Sequence, residues 1–281
     1  MNIRKILKLI LLRNYRQDTR RSKTANEYIE KEIKTLPIFN NLKAVNIGLC
    51  VKCLEKIPGI LDPLEGFTLF MLSMSSPSNN FIVEVGSYLG RSAAYMAMGS
   101  IISGKKGVYA IDMFPKKTDW YLGTDGYYHI NGSDYYLEEN VYKEREIFCY
   151  GDHVYESTLE IFKDIIRKVG FEQQIETFKG TSMEYSQLQK TPLRMAFIDG
   201  DHTYDGVKKD VLALSDMIVE NGYLCFHDYS DTFPGVVRAV DEFVINSGAY
   251  SDFCLVKDLL IAKKKSDATK QLSANITLQT T

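Results

Sequence analysis

The stretch FIVEVGSYLGRSAA, residues 81–94, decides the fold of this chain. It begins with a short apolar run, breaks at Gly86 and Gly90, and continues with small and apolar residues through Met98. This pattern is typical of a buried strand, a tight turn and a helix. Such a turn places backbone N–H groups and a helix N-terminus at the carboxyl end of a strand, where open α/β sheets bind nucleotide-like ligands. We therefore predict a ligand site here, although a glycine turn that only packs a helix on a sheet has the same pattern.

The residues of the turn bear on the kind of ligand. Gly86 and Gly90 would let the backbone approach a ligand closely, and Glu84 precedes the turn as a hydrogen-bond acceptor. The dinucleotide fingerprint G-x-G-x-x-G is absent, because Tyr88 stands where its second glycine would fall. The pattern is instead E-x-G-x-x-x-G-x-S, from Glu84 to Ser92.

This pattern resembles motif I of the class I S-adenosylmethionine-dependent methyltransferases. It looks most like the metal-dependent O-methyltransferase branch, which includes catechol-methylating enzymes and their sugar-methylating relatives. The resemblance covers roughly residues 66–264, and it implies that S-adenosylmethionine is the cofactor. In this turn the resemblance implies cofactor contacts by Glu84, Gly86, Ser87, Tyr88, Gly90 and Ser92.

An acid ends the second predicted strand. The apolar run 108–111 leads into Asp112. At that strand end of a nucleotide-binding α/β fold, an acid accepts hydrogen bonds from ribose hydroxyls. A helix N-cap aspartate is the ordinary alternative. Because the glycine turn lies upstream at about the usual spacing, we favour ribose binding by Asp112.

A second turn follows the third predicted strand, at residues 174–178, and reads GTSME over residues 180–184. By the resemblance, Ser182 and, with it, Thr181 would contact the adenine ring of the cofactor. The same residues also suit a serine N-cap with Glu184 in the first helical turn. The two roles are compatible.

Two further predicted strands end in acidic and histidine residues. Residues 195–198 lead into DGDH (199–202), and residues 223–226 lead into HDY (227–229). A helix predicted over 205–219 connects the strands, so they are expected to be parallel and to end at the same edge of the sheet. Carboxylates gathered there repel one another unless they share a cation or a proton. A divalent ion with oxygen ligands, most simply Mg²⁺, is the expected solution.

The resemblance also assigns metal ligands at this edge. Asp199 matches the first metal aspartate of the family and Asp228 the second. Tyr229 falls where the catechol enzymes have an asparagine ligand, so the third ligand is open between Asp201, His227 and water. We predict Asp199, Asp228 and His227 as the protein ligands of the metal.

His202 and Asp199 are the candidate catalytic residues. His202 falls where the catechol branch carries a lysine base, and an imidazole near its ordinary pKa can accept a proton at neutral pH. In the alternative interpretation, His202 and Asp201 only cap the helix that begins near Asp205.

Composition limits the class of protein. A chain of 281 residues can bury one substantial core, and its formal net charge of −2 gives no electrostatic case for binding nucleic acid. The five cysteines include a C-x-x-C at 50–53 with no second pair to complete a zinc set, so we interpret it as structural. This use of cysteine fits a reducing compartment, and we expect a cytoplasmic protein.

The chain carries extensions at both ends. Residues 1–65 form a basic and helical extension, in which residues 4–23 contain eight Lys or Arg residues and a single acid. The apolar run there is too interrupted for a signal peptide and too short to span a bilayer. It fits either a weak contact with an anionic membrane surface or a helix that packs on the protein or on a second subunit. Residues 265–281 form a polar tail.

An aromatic insertion at 113–154 follows the second strand. It is long, rich in Tyr and interrupted by glycines, which is typical of a lid or a binding segment at a strand end. It would cover the substrate or, alternatively, contact another subunit in a homo-oligomer.

Together these features predict a Rossmann-like α/β fold with a seven-stranded, mostly parallel sheet and helices on both faces. The resemblance implies methyl transfer from S-adenosylmethionine to a hydroxyl of a sugar or other small molecule, with a divalent metal. The alternatives are an NAD(P)-dependent oxidoreductase or epimerase, and a non-catalytic protein that binds a cofactor and a glycan or partner.

Overall fold

The structure is a computed structural model that describes residues 54–130, 136–138, 148–150 and 152–266. Three features of the sequence lie outside the described residues: the basic segment 4–23, the C-x-x-C at 50–53, and the polar tail from residue 267 onward. Parts of the aromatic insertion also lie outside them.

In chain order, the helices and strands are α1 (Pro63–Ser75), β1 (Phe81–Val85), α2 (Arg91–Ile102), β2 (Val108–Asp112), β3 (Trp120–Leu122), β4 (Tyr127–Ile130), β5 (Tyr136–Glu138), β6 (Cys149–Tyr150), β7 (His153–Val154), α3 (Thr158–Lys168), β8 (Ile175–Lys179), α4 (Ser182–Leu188), β9 (Leu193–Ile198), α5 (Tyr204–Leu214), β10 (Ile218–Phe226), α6 (Pro234–Val240), β11 (Tyr250–Val256) and β12 (Leu259–Lys264).

Seven of these strands form one sheet in the order β11-β12-β10-β9-β1-β2-β8. Strands β10, β9, β1, β2 and β8 are parallel neighbours, whereas β12 runs antiparallel to both β10 and β11. The order of the strands reverses at β1, which is where ligands bind in open α/β sheets. The sheet confirms the predicted Rossmann-like, mostly parallel architecture.

Two apolar cores lie on opposite faces of the sheet. Successive residues of one strand alternate between them: Ile82 belongs to the core with α1, α2 and α3, whereas Val83 belongs to the core with α5 and α6. Met195 and Ala196 divide in the same way on β9. Strands covered on both faces are continuously apolar, which explains the unbroken apolar runs in the sequence.

The boundaries of two elements differ from the sequence prediction. The helix predicted over 205–219 ends at Leu214, and β10 already begins at Ile218. The Asn221-Gly222 pair, a sequence typical of a turn, lies inside that strand at a shift in pairing register, with Asn221 at a φ of +60°. A register irregularity of this kind lets a strand bend without ending. Asn221 and Gly222 therefore form a bulge within β10 and not a turn before it.

The described parts of the aromatic insertion are small antiparallel sheets. Strands β3, β4 and β5 pair in sequence, and β6 pairs with β7. The insertion follows β2 and so extends from the carboxyl edge of the main sheet. Its predicted role as a lid or as a subunit contact stays a prediction.

No helix in the part of the chain that the structure describes is long and apolar enough to cross a membrane.

Candidate active site

The glycine turn between β1 and α2 is fixed by packing within the protein. Gly86 has a φ of +84°, and a β-carbon there would overlap the backbone of Asp199. Gly90 has a φ of +91°, and its β-carbon would lie 2.8 Å from the ring of Phe162. Protein atoms therefore occupy the space that we had expected a ligand to need at these two positions. The glycines are required by the fold itself, whether or not they also approach a cofactor.

Asp112 links the end of β2 to the glycine turn. Its carboxylate accepts a hydrogen bond from the backbone N–H of Tyr88 at 2.9 Å and another from that of Phe114 at 2.7 Å. Tyr88 and Phe114 have φ angles of +44° and +43°, unusual for residues other than glycine. Burial raises the pKa of Asp112 above its ordinary value. The two hydrogen bonds lower the pKa and offset part of this rise. Asp112 thus caps no helix, and it stabilises the strained turn beside it.

Glu84 is a fully buried acid on β1. Neither of its carboxylate oxygens makes a hydrogen bond within the described residues. Burial raises its pKa to about 7, and the nearby hydroxyls of Ser87 and Ser92 offset part of that effect. Because these hydroxyls offset only part of the cost of burial, the carboxylate of Glu84 is poised to receive a hydrogen-bond donor or a cation.

The turn after β8 has an N-cap at Thr181, one residue before the serine that the sequence suggested. Thr181 and Glu184 form a capping box at the start of α4. The hydroxyl of Ser182 is buried and donates to Asp210 on α5. Both side chains are therefore engaged with the protein. The structure does not test the predicted contact of Thr181 and Ser182 with adenine.

Acidic and imidazole groups converge where β9 and β10 end. The Nε2 atom of His202 lies 2.9 Å from Oδ2 of Asp228 and 3.9 Å from Oδ1 of Asp199. The Nδ1 atom of His227 lies 3.2 Å from Oδ1 of Asp199 and 3.3 Å from Oδ2 of Asp228. Asp228 has a φ of +56°, so this site also contains a strained residue. The predicted juxtaposition of the two strand ends is present.

The charges of this cluster shift the pKa of each imidazole. The negative charges of Asp199 and Asp228 raise the pKa of His202 to about 9. For His227, burial lowers the pKa, but Asp199, Asp228 and Glu65 outweigh it and raise the pKa to about 12. Burial raises the pKa of Asp228, but the two imidazoles outweigh this effect and hold the pKa well below its ordinary value. These carboxylates therefore favour the protonated form of His202, and its role as a base stays a prediction.

The donor set fits a divalent cation. Donor atoms of Asp199, His202 and Asp228 all lie within 4.8 Å of one another. Two carboxylates with imidazole nitrogen suit Mn²⁺ as well as Mg²⁺. His202, predicted as a base, is thus placed among the donors, and His227 faces the same two carboxylates.

Asp201, a candidate for the third ligand, and Tyr229, which stands where the catechol enzymes have an asparagine ligand, both make hydrogen bonds elsewhere. Asp201 accepts the backbone N–H of Thr203 at 2.8 Å, at the entry to α5. The hydroxyl of Tyr229 donates to Asp241 at 2.6 Å. Of the two protein groups considered as the third metal ligand, Asp201 and His227, it is His227 that faces Asp199 and Asp228.

Sequence reasoning missed two residues of this site. The ring of Phe233 lies 4.7 Å from the ring of His202, centroid to centroid. Glu65, in the first turn of α1, accepts a hydrogen bond from Nε2 of His227 at 3.0 Å. Asp62 and Glu65 have the spacing of a capping box, and that local signal could have located the start of α1. No local signal could have predicted contact with a residue 162 positions away.

A family model described as "Methyltransferase domain" matches residues 83–229, which is more than half of the 281 residues. This segment contains the glycine turn, Asp112 and both ends of the acidic cluster. The match gives no support to the nicotinamide-dependent alternative.

Solved structures share the fold at low sequence identity. The O-methyltransferase NovP is 17% identical, with a TM-score of 0.50, over 76% of this chain and 80% of its own. An O-methyltransferase from Bacillus cereus in complex with SAH is 12% identical, with a TM-score of 0.50, over 84% and 97%. The SAH-bound methyltransferase PaMTH1 of Podospora anserina is 13% identical, with a TM-score of 0.51, over 91% and 99%.

These structures share the fold of this chain. The family match carries the assignment: the chain belongs to this methyltransferase-domain family, as its resemblance to the class I S-adenosylmethionine-dependent methyltransferases predicted.

Proposed function

We propose that this methyltransferase transfers the methyl group of S-adenosylmethionine to a hydroxyl oxygen of a small molecule, assisted by a divalent cation. The observation that carries the proposal is the backbone contact between the glycine turn and Asp199. This contact brings the candidate donor site and the acidic cluster to one place on the sheet edge. Neighbours of the same fold are described as O-methyltransferases, which supports oxygen as the acceptor atom.

The cofactor would lie across the turn that follows β1. The unpartnered carboxylate of Glu84 suits the ammonium group of S-adenosylmethionine, because pairing would offset the cost of burying a carboxylate. Asp112 has spare acceptor capacity for ribose hydroxyls, since each carboxylate oxygen can accept two hydrogen bonds. Ser87, whose buried hydroxyl has no partner within the described residues, and Ser92 can hydrogen-bond the donor's amino-acid end.

Asp199, Asp228 and an imidazole would hold the cation. When bound, a divalent cation would lower the pKa of a coordinated acceptor hydroxyl and help to align it with the sulfonium methyl group. His202 would accept the proton that the hydroxyl loses, and Phe233 packs against its ring and limits its orientation. Holding donor and acceptor together would supply much of the rate acceleration through proximity.

The acceptor class is the least constrained part of the proposal. The insertion after β2 would cover the acceptor, and its aromatic residues suit the apolar face of a sugar as well as a planar ring. We therefore propose a sugar or another small hydroxylated molecule, and Mg²⁺ as the physiological cation.

The test is calorimetric titration of the full chain with S-adenosylmethionine, S-adenosylhomocysteine and NAD. We expect the first two to bind and NAD not to bind. Release of S-adenosylhomocysteine is then followed with panels of sugars and catechols, in Mg²⁺ and in EDTA. Preferential binding of NAD would refute the cofactor assignment, and turnover that ignores EDTA would refute the metal.

A further inference from the structure

Glu65 is a buried acid that reaches the candidate active site from a distant part of the chain. It lies in the first turn of α1, 2% exposed, on an element that precedes the glycine turn. Its Oε2 atom accepts the backbone N–H of Asp62 at 3.1 Å and lies 3.0 Å from Nε2 of His227. Its Oε1 atom accepts the backbone N–H of Asp258 at 3.0 Å.

These contacts fix the orientation of the His227 ring. With Nε2 held by Glu65, Nδ1 must face the opposite way, toward Asp199 at 3.2 Å and Asp228 at 3.3 Å. When Nε2 carries the hydrogen donated to Glu65, the unprotonated Nδ1 lies beside two carboxylate oxygens. That arrangement is repulsive unless a proton or a cation lies among the three groups, and a divalent cation would take the place of the proton.

Carboxylate–histidine–metal arrangements of this kind are common in metalloproteins. The carboxylate holds one ring nitrogen, fixes the tautomer and raises the basicity of the nitrogen that binds the metal. Among the described residues, His202 has no such support: its ring is about one third exposed, contacts Phe233, and has Asp228 and Asp199 as its ion-pair partners. The buried and anchored His227 is therefore better suited to binding a cation, which leaves His202 for proton transfer.

We propose that Glu65 is a positioning residue that holds Nε2 of His227 and so directs Nδ1 to a divalent cation bound by Asp199 and Asp228. The inference rests on the proposed metal dependence and names the third protein ligand of that site. Glu65 acts through His227 and touches neither the substrate nor the cation.

The first test is the binding of Mn²⁺ alone to the full chain, measured by calorimetry. Glu65→Gln is close in size but has a single acceptor oxygen, so it cannot serve both His227 and Asp258. We expect its dissociation constant for Mn²⁺ to be about 10- to 100-fold higher than that of the wild type. Asp62→Ala is the matched control, since it removes the other side chain of the same capping box and leaves the contact of Glu65 with His227 in place.

A double-mutant cycle separates positioning from a merely structural role. In a His227→Leu background, Glu65→Gln should cause no further loss of Mn²⁺ affinity, because the residue through which Glu65 acts is absent. Equal additional losses in both backgrounds would overturn the proposal. So would a Glu65→Gln variant that binds Mn²⁺ as tightly as Asp62→Ala does.

The second readout needs no metal. The chain has four histidines, so the ring ¹⁵N resonances of His227 can be assigned with the His227→Leu variant. Glu65→Gln should shift the ring resonances of His227, and Asp62→Ala should not. If the wild type binds no Mn²⁺, the proposed metal dependence fails, and the resonances alone decide whether Glu65 orients His227. Unchanged resonances in Glu65→Gln would overturn that role.

Discussion

A β-carbon at Gly86 would overlap the carbonyl oxygen of Asp199, so the glycine turn and the acidic cluster are in direct backbone contact. The amide of Asp199 also donates to the carbonyl of Val85, which pairs the same two segments from the strand side. The predicted donor site and the predicted metal site are therefore parts of one structural unit.

The first prediction is that Gly86→Ala destabilises the whole fold. Its φ of +84° disfavours any side chain, and the overlap with Asp199 adds to that strain. We expect the free energy of unfolding to fall by about 3 kcal/mol or more in urea denaturation. Gly104→Ala is the control, because its φ is +66° and its β-carbon would meet nothing within 4 Å. Its loss should be about 1 kcal/mol. Equal losses for the two variants would contradict the role of the contact.

The second prediction concerns the pH dependence of stability through Glu84. Its folded-state pKa of about 7 lies above the ordinary value of 4.5, so between these values the folded protein holds a proton that the unfolded chain has lost. Its contribution to stability is therefore present below pH 4.5 and is lost as the pH rises through 7.

Glu84→Gln cannot ionise and should not show this loss. The quantity to measure is the free energy of unfolding of the variant minus that of the wild type. Between pH 4.5 and a pH above 7, this difference should change in favour of the variant by up to about 3 kcal/mol. Urea denaturation across this pH range without cofactor measures it, with the exposed Glu172→Gln as control. Parallel pH profiles for wild type and Glu84→Gln would contradict the prediction.

The sequence predicted the part of the site that depends on local pattern. Asp112 and Asp199 each follow an apolar run directly, and Asp228 follows one after His227; parallel strands bring such residues to one edge. Glu65 could not be predicted in this way, because its position opposite His227 follows from how α1 packs against the ends of β10 and β12.

The sequence mispredicted the ends of elements where the local pattern and the tertiary contacts favoured different structures. The apolar residues near Ile218 continue the helical spacing of α5, yet pairing with Leu193 on β9 places Ile218 in a strand. Thr181 and Ser182 are both ordinary N-cap residues, and Ser182 instead serves as the buried partner of Asp210. Tertiary contacts decided both cases.

The third prediction concerns a cation at the opposite end of the sheet. Arg194 is fully buried on β9 and donates to the hydroxyl of Ser100 at 2.6 Å and to the carbonyl of Lys106 at 2.7 Å. It also donates to Ser76, the C-cap residue of α1. Burial lowers its pKa to about 10, so it stays charged at neutral pH. The C-terminal ends of α1 and α2, which carry partial negative charge, compensate it.

Arg194→Met should therefore lower the free energy of unfolding by about 2 kcal/mol, because polar groups at both helix ends lose a buried partner. Urea denaturation measures this loss. The exposed Arg167→Met, whose side chain is 69% exposed, should change stability by less than about 0.5 kcal/mol. A neutral or stabilising Arg194→Met would show that its desolvation outweighs its hydrogen bonds.

The fourth prediction separates the cation from the cofactor. Asp228 has a φ of +56°, a conformation that asparagine tolerates well, so Asp228→Asn removes the charge without new backbone strain. Mn²⁺ affinity should fall at least about 10-fold, since a carboxylate ligand is lost. Binding of S-adenosylhomocysteine should stay within about threefold, because the proposed cofactor site is at a different turn, the one after β1. Asp231→Asn, an exposed site on the following loop, is the control. Parallel loss of both ligands would place Asp228 in the cofactor site.

The last prediction decides whether His202 transfers a proton or only occupies a position. Without a cation, Asp199 and Asp228 raise the pKa of His202 to about 9, and a protonated imidazole cannot act as a base. A divalent cation between the carboxylates would compensate their charge and lower that pKa. Proton transfer by His202 should therefore depend on the cation.

His202→Gln keeps a hydrogen-bonding side chain but cannot accept the proton. In saturating Mg²⁺ its kcat should be about 100-fold lower than that of the wild type, with the dissociation constant of S-adenosylmethionine unchanged. In EDTA the residual rates of the two proteins should converge, because the wild-type imidazole is then protonated and cannot accept a proton from the hydroxyl. If the glutamine variant retained full kcat in Mg²⁺, His202 would be a positioning residue beside Phe233, and the proton would have to leave by another route.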